Sequence, residues 1–218
     1  MKSIHVKLCG FRRPEEVREA AALEVDRIGF ILARGRRRSV EPEVFPDLVR
    51  EAGPDRSVGV LVDPAMEEIG TWLDRATWKT VQLCGGESPD FCRRVKETFG
   101  LSVIKVFHVC QCGKQPAFPL DAYASSVDAF LLDAFAPEGG GGGKTFDWNL
   151  IPPVLDRCRR LGKPLWVAGG LTASNVGKLL GRIRPDGVDV SGGIERNGKK
   201  CPETMKRFLK EVRSHEDT

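Results

Sequence analysis

The sequence predicts an α/β fold in which eight parallel strands and their connecting helices close into a single (β/α)8 barrel. Eight short apolar runs recur along the chain, and a polar or glycine residue follows each run within two positions. Segments with helical spacing of apolar residues separate most of these runs. Almost continuously apolar strands that alternate with helices indicate a parallel sheet buried on both faces, and eight such units close naturally into a TIM barrel.

A doubly wound open sheet is the rival architecture for the same alternation. That fold predicts a Gly-x-Gly-x-x-Gly turn after its first strand. Here the first apolar run is followed by Cys9 and Gly10 and then by Phe-Arg-Arg, which lacks the pattern. The barrel is therefore the predicted fold, although 218 residues is near the short end of its usual length.

The eight strands and seven of the helices can be placed from spacing alone. The predicted strands cover residues 6–8, 27–32, 57–62, 80–83, 102–107, 129–133, 165–167 and 188–190. The predicted helices cover residues 14–23, 42–52, 65–76, 89–99, 150–161, 173–183 and 202–212. Residues 113–126 have no clear helical pattern, so the fifth helix is expected to be short or irregular.

Length and composition predict one soluble domain that covers residues 1–218. An apolar share of 41% supplies one sizeable core. The net charge of +4 comes from interspersed acidic and basic residues, so it suits a small anionic ligand and does not indicate nucleic acid. No apolar run approaches the ~20 residues of a membrane span, and no signal-peptide core opens the chain, which predicts a cytoplasmic protein without membrane contact.

The seven cysteines are odd in number and irregularly spaced, which is typical of reduced thiols in a reducing compartment. Metal-ligand residue types cluster at residues 108–112, which read His-Val-Cys-Gln-Cys. A zinc site needs about four ligands, and no second cluster lies nearby in the sequence. The sequence therefore predicts neither a metal nor another cofactor.

Polar residues at the strand ends are the candidate functional residues, because the carboxyl ends of all barrel strands meet at one face. Asp133 ends the sixth strand and precedes a long loop with five consecutive glycines at 139–143. An aspartate here is often only a loop cap, but the long glycine-rich loop favours function. The residues expected to converge are Cys9, Arg36 to Arg38, Asp133, Gly169, Gly170, Asp189 and Ser191 to Gly193.

Two glycine turns follow the seventh and eighth strands and predict a phosphate site. Gly169 and Gly170 form the first turn, and Ser191, Gly192 and Gly193 form the second. Glycine lets backbone amides crowd an anion, and a helix N-terminus adds electrostatic attraction. Barrels bind phosphate with the loops after these two strands, so the two turns favour a phosphate ligand over plain turn chemistry.

Seven motifs, in order and spread over nearly the whole chain, carry a family resemblance. Each of them alone is a weak signal, but their shared register is specific. The chain resembles the phosphoribosylanthranilate isomerases of tryptophan biosynthesis. The motifs are Val6-Lys7-Leu8-Cys9-Gly10, Ile28-Gly29-Phe30, Val81-Gln82-Leu83, Leu131-Leu132-Asp133, Gly143-Lys144-Thr145-Phe146-Asp147-Trp148, Ala168-Gly169-Gly170-Leu171 and Val188-Asp189-Val190-Ser191.

The resemblance implies an Amadori rearrangement of a phosphoribosyl aldosylamine, without a cofactor, in which Asp133 is the general acid and Cys9 the general base. The carboxyl pKa of Asp133 must then rise above ~3.9, and the thiol pKa of Cys9 should fall from ~8.5. By family position Arg38 binds the anthranilate carboxylate, Asp189 lies near the aromatic amine, and Lys7 completes the substrate-binding set. A small phosphosugar is the expected partner, and contacts with other enzymes of the pathway are compatible with the resemblance.

Four positions depart from the family pattern. Cys84 stands where the family usually has His, Gly142 and Gly192 each replace a small hydroxyl residue, and Cys201 replaces an acidic residue. The changes lie on the predicted active face but spare the acid and the base. They leave open an altered substrate choice.

Two other functions remain as alternatives to the isomerase. A related isomerase of histidine biosynthesis, or a version that accepts both substrates, would use paired aspartates and two repeated phosphate sites. Here the first strand ends on Cys9, and the two halves of the chain show no obvious repeat. A ligand-binding barrel without turnover is the alternative from another class. Without a catalytic role, Cys9 would be an inert core residue, and residues 34–38 would be a solvated basic loop.

Overall fold

A computed structural model describes residues 3–109, 118–134 and 145–216. The eight strands β1 to β8 form a closed barrel in sequence order, and β1 pairs with β8 to close it. Every neighbouring pair of barrel strands is parallel. The predicted (β/α)8 barrel is confirmed.

The strands and helices alternate from the first to the eighth unit, and a short hairpin follows the last barrel strand. The strands are β1 His5–Cys9, β2 Arg27–Ile31, β3 Ser57–Leu61, β4 Thr80–Leu83, β5 Ser102–Val109, β6 Ala129–Ala134, β7 Leu165–Val167, β8 Gly187–Val190, β9 Glu195–Arg196 and β10 Lys199–Lys200. The helices are α1 Pro14–Ala21, α2 Phe45–Ala52, α3 Met66–Leu73, α4 Pro89–Phe99, α5 Leu120–Tyr123, α6 Ile151–Arg160, α7 Val176–Leu180 and α8 Pro202–Arg213. A 3-10 turn, Trp148–Leu150, precedes α6.

Helix α7 is much shorter than the predicted helix at residues 173–183. The side chain of Asn175 accepts a hydrogen bond from the amide of Thr172 and donates one to the carbonyl of Gly170. These two bonds hold the preceding residues in a loop, because an Asn side chain competes with helical backbone bonds. The fifth helix is a single turn, as the irregular pattern predicted.

The hairpin of β9 and β10 was not predicted, although the sequence contains a signal for it. Asn197 and Gly198 form its turn, and both have a positive φ, 53° and 73°. An Asn-Gly pair is the preferred sequence for a two-residue hairpin turn. The flanking strands are only two residues long, which is too short to show an alternating pattern.

Alternation along the strands divides the core into two parts. Two clusters of buried residues contain strand and loop residues but no helix residue, so they fill the inside of the barrel. One includes Ile104, Leu131 and Trp166, and the other includes Cys9 and Val58. The large remaining cluster joins the outer faces of the strands to the helices. Since side chains alternate between the two faces, Lys7 shares the inner face with Cys9. No helix in the described part of the chain is long and apolar enough to cross a membrane.

Three aspartates at the amino-terminal end of the barrel make the same kind of hydrogen bond to a neighbouring strand. Asp26, Asp128 and Asp186 directly precede β2, β6 and β8, and each accepts a hydrogen bond from a backbone amide of the strand before it. A buried amide without an acceptor would be costly, so these carboxylates stabilise the strand pairs at the end opposite the loops that carry candidate function. The donors are the amides of Val6, Val103 and Leu165, at 2.7, 2.8 and 2.9 Å.

We expect Asp128→Ala to destabilise the fold by ~1–3 kcal/mol, because it leaves the Val103 amide buried without an acceptor and removes the ion pair with Lys96. Urea unfolding measures the loss. Asp156→Ala is the matched control, since Asp156 is exposed and pairs only loosely with Arg159, at 3.7 Å. Equal stability of the two variants would contradict the proposed contribution of the aspartate contact.

Candidate active site

A cavity of about 640 Å³ opens at the carboxyl ends of the barrel strands. Nine of the ten residues predicted to form the site line it, so the sequence-based convergence is found in the structure. The tenth, Lys7, is fully buried two residues before Cys9 on the same strand. The nine are Cys9, Arg38, Asp133, Gly169, Gly170, Asp189, Ser191, Gly192 and Gly193.

Lys7 and Asp189 form a buried ion pair across the seam between β1 and β8. Lys7 Nζ donates a hydrogen bond to Asp189 Oδ2 at 3.0 Å, and the two residues are partners in the strand register. Burial opposes the charge on Lys7, but Asp189 and Cys9 outweigh it, so the pKa of the ammonium is raised. Lys7 is not among the residues that line the cavity, so its predicted contact with substrate stays a prediction, while its ammonium acts on Cys9 electrostatically.

Cys9 departs from the expected direction of its pKa. Burial is the largest influence and raises the pKa of the thiol; Lys7 works against it, and Asp189 adds to it. The predicted fall in the pKa of Cys9 is therefore wrong. The reason is that the amino acid sequence indicates a neighbouring cation but does not indicate how completely the thiol is removed from water.

Asp133 has the raised pKa that an acid at neutral pH requires. Burial and the nearby charge of Asp189 raise the pKa of its carboxyl group to about 7, against the opposing influence of Lys7. Asp133 of β6 and Cys9 of β1 line the same cavity. The predicted rise in pKa is found, and the carboxyl group holds a proton in a substantial fraction of molecules near pH 7.

The two glycine turns lie against one another and against the strand that carries Asp133. A Cβ added to Gly193 would lie 2.0 Å from the carbonyl oxygen of Leu171, and one added to Gly169 would lie 2.5 Å from the amide nitrogen of Ala134. Gly193 also forms an isolated bridge with Thr172. Only glycine permits this approach, so both loops present backbone at the cavity wall.

Arg38 is almost completely buried, with 5% of its surface exposed, although Arg34, Arg36 and Arg37 are exposed. The alternative of a solvated basic loop is therefore excluded for Arg38. Its Nε and Nη2 atoms donate to Glu195 Oε1 and Oε2 at 2.6 and 3.0 Å. One edge of the guanidinium is thus occupied by a carboxylate of the protein itself.

Several cavity or near-cavity residues were not singled out from the sequence. Gln82 is buried, donates from Nε2 to Cys84 Sγ at 3.3 Å, and has no described partner for Oε1. Glu195 and Lys200 belong to the hairpin, and Lys200 Nζ donates to the carbonyl oxygen of Ser191 at 3.0 Å. The Asn-Gly turn signal could have located the hairpin, but nothing in the spacing relates Glu195 to Arg38.

The departures from the family pattern fall in three different places. Cys84 and Gly192 line the cavity, and burial raises the pKa of the Cys84 thiol to about 12, so that side chain stays neutral. Cys201 precedes helix α8 and donates from Sγ to Glu203. Gly142 and the five-glycine stretch lie outside the described residues. Within the described residues no group of three or more His, Cys, Asp and Glu side chains could hold a metal ion.

Comparison with known proteins agrees with this geometry. The family model described as N-(5'-phosphoribosyl)anthranilate (PRA) isomerase matches residues 6–211. The N-(5'-phosphoribosyl)anthranilate isomerase of Brevibacillus brevis is 36% identical over 212 residues, which cover 97% of this chain and 94% of the relative. The solved phosphoribosyl anthranilate isomerase from Thermotoga maritima superposes with a TM-score of 0.82 at 32% identity, over 97% of this chain and 99% of that one.

A further solved phosphoribosyl anthranilate isomerase contains reduced 1-(o-carboxyphenylamino)-1-deoxyribulose 5-phosphate. It superposes with a TM-score of 0.77 at 29% identity, over 97% of this chain and 99% of that one. These matches favour neither the histidine-pathway isomerase nor the barrel without turnover. The chain belongs to the N-(5'-phosphoribosyl)anthranilate isomerase family, and it is an aldose–ketose isomerase of tryptophan biosynthesis.

Proposed function

We propose that Asp133 is the general acid and Cys9 the general base of the Amadori rearrangement of N-(5'-phosphoribosyl)anthranilate. The observation that carries this assignment is the raised pKa of Asp133, about 7, on the same cavity as a buried thiol. A carboxyl group that is protonated near neutral pH can donate a proton, which an ordinary aspartate cannot do there.

The reaction needs one proton delivered and one removed. Asp133 protonates the ribose ring oxygen while the bond from that oxygen to C1' breaks, and the nitrogen lone pair forms the C1'=N bond of a cationic Schiff base. Cys9 then removes the proton on C2'. The electrons of the C2'–H bond form the C1'=C2' double bond, and the electrons of the C1'=N π bond return to the nitrogen and neutralise it. Transfer of the enol proton to C1' completes the 1-deoxyketose.

Formation of the Schiff base solves the difficulty posed by the raised pKa of Cys9. Burial of Cys9 favours the neutral thiol. A cationic nitrogen next to the reacting carbon favours the thiolate, and the Lys7 ammonium below Cys9 already acts in the same direction. The thiol therefore loses its proton to water mainly when the Schiff base is present, and after turnover the ionised Asp133 regains its proton from water. The reactive thiolate is scarce in the free enzyme.

The remaining cavity residues are assigned to binding. The backbone at Gly169 and Gly170 and at Ser191 to Gly193 holds the 5'-phosphate, Asp189 accepts a hydrogen bond from the aromatic amine, and Arg38 pairs with the anthranilate carboxylate. Asp189 Oδ1 is buried without a described partner, which supports a donor from the substrate. The phosphosugar bound to the related isomerase supports the same class of ligand here.

The proposed setting is the cytoplasm, with residues 1–218 acting as a single domain. The described cysteines, Cys9, Cys84, Cys92, Cys158 and Cys201, are free thiols, which supports a reducing compartment. Contacts with other enzymes of the pathway stay a prediction from the sequence.

Cys9→Ser and Asp133→Asn should each lower kcat by at least ~10²-fold, because each removes one proton-transfer group, while KM changes much less. Steady-state kinetics with N-(5'-phosphoribosyl)anthranilate measure both constants. Cys158→Ser, at a buried position of α6 away from the cavity, is the control and should keep kcat even if stability falls. Near-normal turnover of Cys9→Ser would remove the base assignment, and binding without turnover by the unmodified chain would favour the ligand-binding barrel.

Alkylation of Cys9 by iodoacetamide should have its midpoint above the ~8.5 of an exposed thiol, because burial raises the pKa. Mass spectrometry of the Cys9 peptide over a pH series gives the midpoint, and a bound product analogue should block the reaction. A midpoint well below pH 8 would show that the thiolate is already favoured in the empty site and that the activation by the intermediate is unnecessary.

Asp133→Asn should stabilise the folded protein at pH 8 although it lowers kcat. The pKa of Asp133 is about 7 in the folded protein and ~3.9 in the unfolded chain. Ionisation of this carboxyl group therefore destabilises the folded protein progressively as the pH rises from about 4 to 7. Asn stays neutral, and the gain at pH 8 has an upper bound of roughly 4 kcal/mol. Urea unfolding should show the gain at pH 8 and none at pH 4; Asp156→Asn, which is exposed, should show no such dependence.

A further inference from the structure

We propose that Glu195 is a positioning residue for recognition of the substrate carboxylate. It holds one edge of the Arg38 guanidinium so that the other edge faces the anthranilate carboxylate. The inference builds on the proposed role of Arg38, and it assigns a function to the hairpin that follows the last barrel strand.

The contact between the two residues has the geometry of a rigid fork. Arg38 Nε and Nη2 each donate to a different oxygen of Glu195, at 2.6 and 3.0 Å, and the side chains are 6% and 10% exposed. A guanidinium carries five N–H donors in one plane. Glu195 uses the edge formed by Nε and Nη2, so the edge formed by Nη1 and Nη2 remains for a second planar carboxylate.

The stem of Arg38 is fixed as well as its head. A Cβ added to Gly10 would lie 2.6 Å from Arg38 Cδ and 2.9 Å from Ser191 Oγ, so the side chain runs tightly over the first loop of the barrel. Ser191 Oγ in turn donates to the carbonyl oxygen of Cys9 at 3.0 Å. Arg38 is thus held next to both the proposed base and the second glycine turn.

The charges around Glu195 determine whether its carboxylate supports substrate binding or competes with the substrate carboxylate for Arg38. Its carboxylate also accepts from Arg37 Nη2 at 2.9 Å and from Lys200 Nζ at 3.0 Å. Burial opposes the ionised carboxylate, but the bonds from Arg38 and its neighbours outweigh it and lower the pKa of Glu195 to about 2. One carboxylate among three cations leaves an excess of positive charge, so the cluster still attracts the anionic substrate.

Removal of the Glu195 charge tests this inference. Glu195→Gln keeps the size of the side chain but can no longer accept two bonds from the guanidinium, so Arg38 loses its fixed orientation. We expect KM for N-(5'-phosphoribosyl)anthranilate to rise ~10-fold with kcat changed less than ~3-fold. Inhibition by ribulose 5-phosphate, which lacks the aryl carboxylate, should not weaken.

A matched control is present on the surface. Arg18 Nε and Nη2 form the same two-bond fork with Glu51, at 3.0 and 2.9 Å, between α1 and α2. Glu51→Gln therefore removes an equivalent fork away from the cavity, and it should leave KM and kcat unchanged.

A double-mutant cycle separates positioning from a direct or merely structural role. Arg38→Ala should raise KM, and in the Arg38→Ala background the further change Glu195→Gln should alter kcat/KM less than ~2-fold, because its effect passes through Arg38. The same loss in both backgrounds, an equal loss of ribulose 5-phosphate inhibition, or a fall in KM for Glu195→Gln would each overturn the inference. Absence of turnover in the unmodified chain would instead contradict the proposed function.

Discussion

The buried pair of Lys7 and Asp189 is the contact on which the rest of the site depends. The two residues are register partners on β1 and β8, the seam where the barrel closes, so the pair fixes the seam and the electrostatics together. Burying either charge alone would be costly, and each is tolerated because the other is present. Both charges act on both groups: Lys7 lowers the pKa of Cys9 more than Asp189 raises it, whereas Asp189 raises the pKa of Asp133 more than Lys7 lowers it. One ion pair thereby separates the tasks of the proposed base and the proposed acid.

The barrel could be predicted from the sequence because its determinants are local and periodic, whereas most of the site's energetics could not. Strand β4 and helix α4 begin and end where apolar spacing and proline placement predict. Helix α7 falls short because one side-chain amide, that of Asn175, rearranges the turn before it, and spacing carries no information on that. The pKa of Cys9 was predicted in the wrong direction because it depends on loss of water, a property of the folded cavity.

Convergence at the barrel mouth was predictable, but the pairing of its members was not. Fold topology alone brings strand ends together, so Arg38 and the second glycine turn were expected on one face. Arg38 and Glu195 are 157 positions apart, and Glu195 lies on a hairpin with strands too short for a pattern. Topology thus predicts which residues meet, and only the folded packing decides which charges neutralise each other.

The hairpin of β9 and β10 connects the two proposed anion sites through a single set of contacts. Glu195, on its first strand, fixes Arg38, whereas Lys200, on its second, binds both Glu195 and the carbonyl oxygen of Ser191. Lys200 is buried, so its charge acts on these neighbours with little screening by water. A shift of the hairpin would therefore move together the guanidinium proposed to bind the carboxylate and the turn proposed to bind the phosphate. A substrate that carries both anionic groups at a fixed separation is the ligand that such a coupled pair of sites selects.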